Sequence, residues 1–400
     1  MDQARIIVAG TGPAGLIAAL ALADSGFQVL LAGPPPRLDD RRTTALMMPS
    51  LDFLNEMGLR EPLLANAAPL RIMRIVDATE RLVRSSPVTF RASELGEDAF
   101  GWNIPNASML RVLEEAVAKD ASIQREEGLV SAWRPGADTI EAVLEDGRTL
   151  SARLAVAADG RNSPAREAAG IRALRHSYPQ EALVLNFAHE RDHGFASTEF
   201  HTPTGPFTMV PLPGRRSSLV WVLRPERAGE LRELADDALS MLVEERMQSM
   251  LGRVTVEPGR QTYPLSAAMP TSFARNRVAL VGEAAHVFPP IGAQGLNLGV
   301  RDVRDLVSIA RDHRDDPGSP RALSAYSWRR RPDILARSGA VNALNHSLLT
   351  DFLPAQVARS AGIGLLAAFA PLRAFFMREG LEPGSGFSGA FSSLRKQVGR

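Results

Sequence analysis

The chain has 400 residues, 45% of them apolar, which suits about two or three soluble domains or one large domain with insertions. Its 46 basic and 45 acidic residues leave a formal charge of +1, so the balance gives no reason to expect nucleic acid or an acidic partner. No cysteine is present, which excludes disulfides, thiolate metal sites, iron–sulfur clusters and cysteine nucleophiles, and only Lys119 and Lys396 are lysines, which argues against Schiff-base chemistry.

Residues 4–10, ARIIVAG, read as a short buried strand. A turn and an apolar helix follow, ending near Gly26, and residues 28–32, QVLLA, form a second strand, so the unit is β-α-β with a parallel sheet. Between strand and helix lies Gly10-Thr-Gly12-Pro13-Ala14-Gly15. Gly10 permits the sharp turn, Gly12 lets backbone approach a pyrophosphate, and Gly15 lets helix and strand pack closely while the helix N-terminus faces the anion. The pattern at this place supports dinucleotide binding. The acid that usually closes the second strand to hold a ribose is replaced by Ala32-Gly33 and three prolines.

Because the chain runs at once into a strand and no apolar run reaches the roughly eighteen residues of a spanning helix, the expectation is a cytoplasmic protein, soluble or resting at the inner face of a membrane.

Residues 41–59 offer Arg41 and Arg42 before a helix with apolar Leu46, Leu51, Leu54 and Met57. The two arginines follow two aspartates, so they read either as a solvated ion pair or as cations near a cofactor. Asn106 is the expected N-cap of a helix carrying Leu110, Leu113 and Val117 on one stripe, with Arg111 one step off it, snorkelling or reaching a phosphate. Residues 154–158 form a strand ending in Asp159-Gly160, where open α/β sheets bind ligands, although Asp-Gly is also a common turn. His189-Glu-Arg-Asp-His193 has the letters of a zinc helix but follows an alternating strand, so strand-end polar residues are the better reading. Residues 181–224 are strand-like between Pro and Gly turns, which implies an antiparallel sheet inserted between α/β pieces and forming a wall of a substrate pocket. A second glycine-rich segment, GEAAHVFPPIGAQGLN at 282–297, follows another apolar strand.

In this order, the first glycine loop, RTTAL (42–46), Arg111, ADG (158–160), the second glycine segment and YSWRRRPDI (326–334) resemble the single-component flavin monooxygenases of the para-hydroxybenzoate hydroxylase type. RTTAL, residues 189–213 and FMREGL (376–381) are similar, more narrowly, to the ubiquinone-biosynthesis hydroxylases. The resemblance implies an α/β Rossmann-like FAD-binding domain (1–70, 101–175 and 265–320), an inserted antiparallel-sheet substrate domain (71–100 and 176–264) and a C-terminal helical region (321–400).

It implies FAD with its pyrophosphate over Gly10, Gly12, Pro13, Ala14 and Gly15, with Arg41 and Arg42 near the cofactor, Arg111 on its adenine-dinucleotide part and the Val130 backbone near the adenine. Asp159 and Gly160 would serve FAD and the nicotinamide cofactor, and Glu283 the ribityl or ribose hydroxyls. Pro290, Gly292, Ala293, Gln294, Gly295, Leu296 and Asn297 would wrap the flavin from the other side, the helix that follows favouring a reduced, anionic ring. Two positions depart from the family pattern, Glu283 in place of Asp and Ala293 in place of Gly.

The implied reaction is hydroxylation of the ring of a polyprenylated phenol or quinol in ubiquinone biosynthesis. NADH or NADPH reduces FAD transiently, and dioxygen adds as a C4a-hydroperoxyflavin that attacks the ring. No catalytic side chain and no metal ligand is assigned. The alternatives are a hydroxylase of a soluble phenolic or polyketide, and a non-catalytic subunit that kept the fold. The implied partners are the aromatic or prenylated substrate and O2, with an oligomer, a biosynthetic complex and peripheral membrane contact left open. For residues 358–381, packing against the FAD domain or a partner subunit is favoured over membrane contact.

Overall fold

The computed structural model describes residues 5–79, 86–289 and 294–349, together with Arg373, Phe375 and Met377. A six-stranded sheet organises the first unit, in the order Ala274–Arg275, Val278–Leu280, Leu154–Ala157, Arg5–Ala9, Gln28–Ala32, Ile123–Glu126. All its pairings are parallel except that of Ala274–Arg275. Its four inner strands, Val278–Leu280, Leu154–Ala157, Arg5–Ala9 and Gln28–Ala32, are nearly continuous apolar runs because both faces are covered. Pro13–Asp24 packs against the helices Gln294–Asp312 and Asn106–Lys119, and a small antiparallel sheet of Val130–Pro135, Ile140–Leu144 and Thr149–Ala152 lies against the strand Arg5–Ala9. Residues 15–23 of the first helix are all buried, which explains its lack of a polar face.

The second unit is an eight-stranded sheet ordered Val254–Val256, Ala173–His189, Arg216–Leu223, Gly205–Leu212, Ala196–Thr202, Ile72–Asp77, Val88–Arg91, with Gln261–Pro270 also paired to Ala173–His189. It is antiparallel apart from the parallel pair Ala196–Thr202 and Ile72–Asp77. Period-two alternation sends Leu183, Leu185, Phe187, Phe200, Phe207, Leu219 and Trp221 to one face, where they form a core with Leu231, Leu239 and Val243 of two covering helices. Phe207 meets Trp221 edge to face at 5.1 Å, and each such buried side chain contributes about 1.5–3 kcal/mol.

The opposite face turns to the first unit. Thr43 Oγ1 donates to Ser218 Oγ at 2.9 Å, Asn186 Nδ2 to Arg41 O at 3.1 Å and Asn103 Nδ2 to Pro211 O at 2.8 Å.

Two local expectations are corrected. Leu46 does not begin a helix: Thr43–Met47 is a strand paired with Gly101–Pro105, favoured by its β-branched pair Thr43-Thr44, and the helix starts at Met48 with Pro49 in its first turn. Asn106 is not an N-cap, because Pro105 holds that place. The Asn106 amide instead accepts from Thr44 Oγ1 and donates to Asp40, tying three segments together.

The strand reading of the two histidines agrees with their surroundings: His189 bonds to Arg191 O and Ser217 Oγ, while His193 Nε2 meets Leu212 O and Nδ1 accepts from Phe195 N–H. Most of residues 358–381 lie outside the described residues. Met377 is buried beside Ala92 and Phe100, and Arg373 pairs with Glu94 at 2.8 Å. Among the described residues no helix is long and apolar enough to cross a membrane.

Candidate cofactor site

The first glycine loop is built by steric exclusion. Gly10 has φ +110°, and a Cβ there would stand 2.3 Å from Ala158 O; a Cβ on Gly15 would stand 2.0 Å from Gly10 O. These contacts hold the turn against the strand Leu154–Ala157 and against its own helix. Gly12 has open space around it, no side chain caps the helix, and its first turn carries no acid, so the N-terminus presents uncompensated N–H groups beside Ala14. Such a cradle fits a pyrophosphate. At the place of the missing ribose acid, Gly33 N–H donates to Glu126 O on the neighbouring strand. The Glu126 carboxylate is already engaged by Arg148 at 2.6 Å and by Gln124.

Asp159 and Gly160 follow directly on the strand Leu154–Ala157, as the sequence placed them. Asp159 Oδ2 accepts from Ala165 N–H at 3.2 Å, while Oδ1 is buried with no partner among the described residues. Burial, outweighing the hydrogen bonds from Ser163 and Ala165, raises the Asp159 pKa. A buried, half-satisfied carboxylate at a strand's C-terminal end is what a cofactor hydroxyl would complete. Gly160 supplies the left-handed turn, with φ +85°.

The second jaw rests on buried charge. Gly282 N–H donates to Asp302 Oδ2 at 3.0 Å, and His286 Nε2 meets the same oxygen at 2.7 Å. Arg330 donates to Asp302 Oδ1 at 2.7 Å, to Asp305 at 2.9 Å and to Asp333 at 3.1 Å, and the Tyr326 hydroxyl donates to Leu280 O at 2.7 Å. Burial alone would lower the Arg330 pKa, but Asp302, Asp333 and Asp305 together raise it, so the guanidinium stays charged. Asp302 therefore fixes the turn after the strand Val278–Leu280 to two helices at once.

The turn after Asp159 is tied to the second jaw. Arg161 lies 3.5 Å from Glu283, both about half exposed, and buried Arg166 donates to Ala284 O and Arg161 O.

The other expected residues divide. Arg42 makes a bidentate pair with Asp40 and covers the Tyr263 ring at 5.2 Å, and the Asp40 hydrogen bond raises its pKa. The Arg41 side chain bonds to Pro258 O in the sheet unit. Arg111 is exposed on its helix and has no ion pair among the described residues, and Val130 opens the strand Val130–Pro135, opposite Leu144.

Pro290, Gly292 and Ala293 lie outside the described residues. Gln294 opens the next helix, Gly295 is exposed and Leu296 is half-buried. Asn297 faces the protein: its Oδ1 accepts from Met47 N–H and Ser50 Oγ, and its Nδ2 donates to Ala45 O. A cavity of about 550 Å³ near Phe273, Arg277 and Trp328 lies at the opposite, N-terminal end of the parallel strands and plays no part in this site.

Arg161, Arg166, His286, Asp302, Tyr326 and Arg330 were not singled out in the sequence as site residues. For Asp302 and Asp305 a signal existed: they share helical spacing with buried Leu298, Leu306 and Ile309, so their charges had to be paired inside.

A glycine cradle, a half-satisfied carboxylate and a second turn, all at one edge of a parallel sheet and faced by an inserted sheet, define a FAD-dependent monooxygenase fold. Solved structures share it: p-nitrophenol 4-monooxygenase of Pseudomonas putida superposes with a TM-score of 0.76 at 20% identity, over 94% of this chain and 96% of that one. Residues 3–336 match the FAD binding domain family. The ubiquinone hydroxylase UbiL of Rhodospirillum rubrum is 33% identical over 389 residues, 94% of this chain and 89% of that protein. The 3-demethoxyubiquinol 3-hydroxylase of Escherichia coli is 28% identical over 91% of this chain and 94% of its own length. The chain belongs to the FAD binding domain family, in its ubiquinone-biosynthesis monooxygenase branch.

Proposed function

We propose that the protein hydroxylates the aromatic ring of a polyprenylated phenol or quinol precursor of ubiquinone. Support comes from similarity to ubiquinone hydroxylases along nearly the whole chain, together with a cradle and a second jaw that suit FAD. Bound FAD, reduced by NADH or NADPH, supplies the activated oxygen that no side chain here can supply.

In this reading the uncapped helix at Gly12 to Gly15 carries the pyrophosphate, and Asp159 Oδ1 and Glu283 accept from cofactor hydroxyls. Arg42 with Tyr263 closes the side of the site, and the Asp302 pairings hold the second turn rigid so that water is kept from the reacting centre. Arg111, Val130 and the segment 290–297 complete the cofactor contacts, and the division 1–70, 101–175 and 265–320 against 71–100 and 176–264 separates cofactor from substrate, with 321–400 as the helical region. A substrate dissolved in lipid would require the protein to work at the inner membrane surface, alone or in a biosynthetic complex.

Purified protein tests the proposal. It should be yellow, should oxidise NAD(P)H faster when a prenylated phenol is added, and its gene deletion should accumulate an under-hydroxylated quinone precursor. Colourless protein that neither binds added FAD nor oxidises NAD(P)H refutes it.

A further inference from the structure

The face of the inserted sheet that looks toward the FAD-binding unit is uneven. Its row nearest the interface, Asn186, Ser218 and Val210, sits beside the contacts to Arg41, Thr43 and Asn103. Two residues further along, roughly 7 Å at strand rise, the register aligns Ile75, Glu199, Thr208, Val220 and Val184. All five are only partly buried, whereas Phe200, Phe207 and Trp221 behind them are buried. Partial exposure leaves this row accessible on the side of the sheet that faces the FAD-binding unit.

In that row, where Ile75, Val220 and Val184 are aliphatic, Glu199 is the one ionisable group. It has no arginine or lysine partner among the described residues. Its Oε1 lies 2.9 Å from His201 Nε2, and its Oε2 accepts from Thr208 Oγ1 at 3.2 Å. The side chains of His201 and Glu199 are 3% and 17% exposed, so the imidazole backs the carboxylate and the carboxylate stays partly accessible. Each carboxylate oxygen keeps a further lone pair. A half-buried acid, braced on both oxygens and set among Ile75, Val184 and Val220, is costly unless it has a polar ligand to receive.

We infer that Glu199 receives the ring hydroxyl of the substrate and takes its proton as the ring is oxygenated. The inference rests on the reading above, that the substrate is a phenol. An uncharged phenol is too weak an acid to ionise against a carboxylate at rest, so Glu199 first accepts a hydrogen bond and orients the ring. When one atom of dioxygen, activated with the two electrons of reduced FAD, bonds to the ring and its bond to the other oxygen breaks, the hydroxyl becomes strongly acidic. Its O–H bond breaks, the electron pair forms the carbonyl of a ring dienone, and the proton passes to Glu199. The ring hydrogen then leaves as a proton that goes toward the water formed from the second oxygen atom, aromaticity returns, and Glu199 hands its proton back to the ring oxygen. His201 and Thr208 are positioning residues that hold the two oxygens.

The test uses the full-length FAD-loaded protein with ortho-prenylphenol as probe. Glu199→Gln keeps size and one acceptor oxygen but cannot act as the base, so product formation should fall about 100-fold with KM moving less than about threefold. FAD affinity and the rate of flavin reduction by NAD(P)H should not move, and the oxygen consumed should appear as hydrogen peroxide. Thr208→Val should lower kcat about fivefold, and it carries the test if Glu199→Gln does not fold. Product formation by Glu199→Gln within about threefold of wild type overturns the inference, as does loss of FAD affinity in parallel with turnover; in the fallback, unchanged turnover in Thr208→Val overturns it. Failure of the wild type to hydroxylate any phenol refutes the proposed function and this assignment with it. A competent wild type matched by Glu199→Gln refutes the assignment alone.

Discussion

The two jaws of the cofactor site hold their shape by opposite means. The first is rigid because backbone meets backbone: Gly15 lies where any Cβ would stand 2.0 Å from Gly10 O. The second is rigid because Asp302, fully buried, collects Gly282 N–H, His286 and Arg330 around one carboxylate. The first should therefore fail by steric insertion and be indifferent to charge, and the second should fail when one charge is removed.

The largest expected effect falls on the second jaw. Arg330→Met leaves Asp302 and Asp305 buried without their shared cation, at a cost of about 3–5 kcal/mol, read as a lower urea midpoint of the apo-protein. On the first jaw Gly15→Ala should cost about 3 kcal/mol and abolish FAD binding, because the obstructing atom is backbone and cannot swing away. Equal tolerance of both substitutions would erase the contrast.

Asn297→Ala tests the join between the second jaw and the strand Thr43–Met47. It strands Met47 N–H and the Ser50 hydroxyl and should cost about 2 kcal/mol by thermal melting.

Asp159 sits between the jaws. Its raised pKa means that the folded apo-protein binds this proton more tightly than the unfolded chain, so the stability it contributes is present below the usual Asp range and is lost as pH rises from about 4 through the folded value. Asp159→Asn should raise the melting temperature of apo-protein at neutral pH while weakening FAD about tenfold in a fluorescence titration. The smallest effect belongs to the exposed pair: Glu283→Asp should change stability by less than about 0.5 kcal/mol, and its FAD titration shows directly whether the longer carboxylate weakens the cofactor.

The same contrast explains what could be read from sequence. Gly10, Gly12 and Gly15 announce their role because glycine is required where space is absent, and a strand followed by a helix fixes the context. Asp159 was legible from its place at a strand end. Asp302 and Arg330 act through partners up to 28 residues apart, and nothing local ties His286 to either. Thr43–Met47 was misread because its pairing partner, Gly101–Pro105, is remote, and a short apolar run carries no period of its own. Asn297 was legible as a site residue by resemblance, yet its amide is committed to protein 247 to 252 residues away, which only the folded chain reveals.

That last tie has a consequence for synthesis. Its halves leave the ribosome some 250 residues apart, and at about 5–20 residues per second the interval is on the order of 12–50 s. The nascent chain presents its pyrophosphate cradle long before it can close the flavin end. Cofactor capture must therefore wait until the segment around Asn297 has emerged, and cells short of FAD should accumulate protease-sensitive apo-protein.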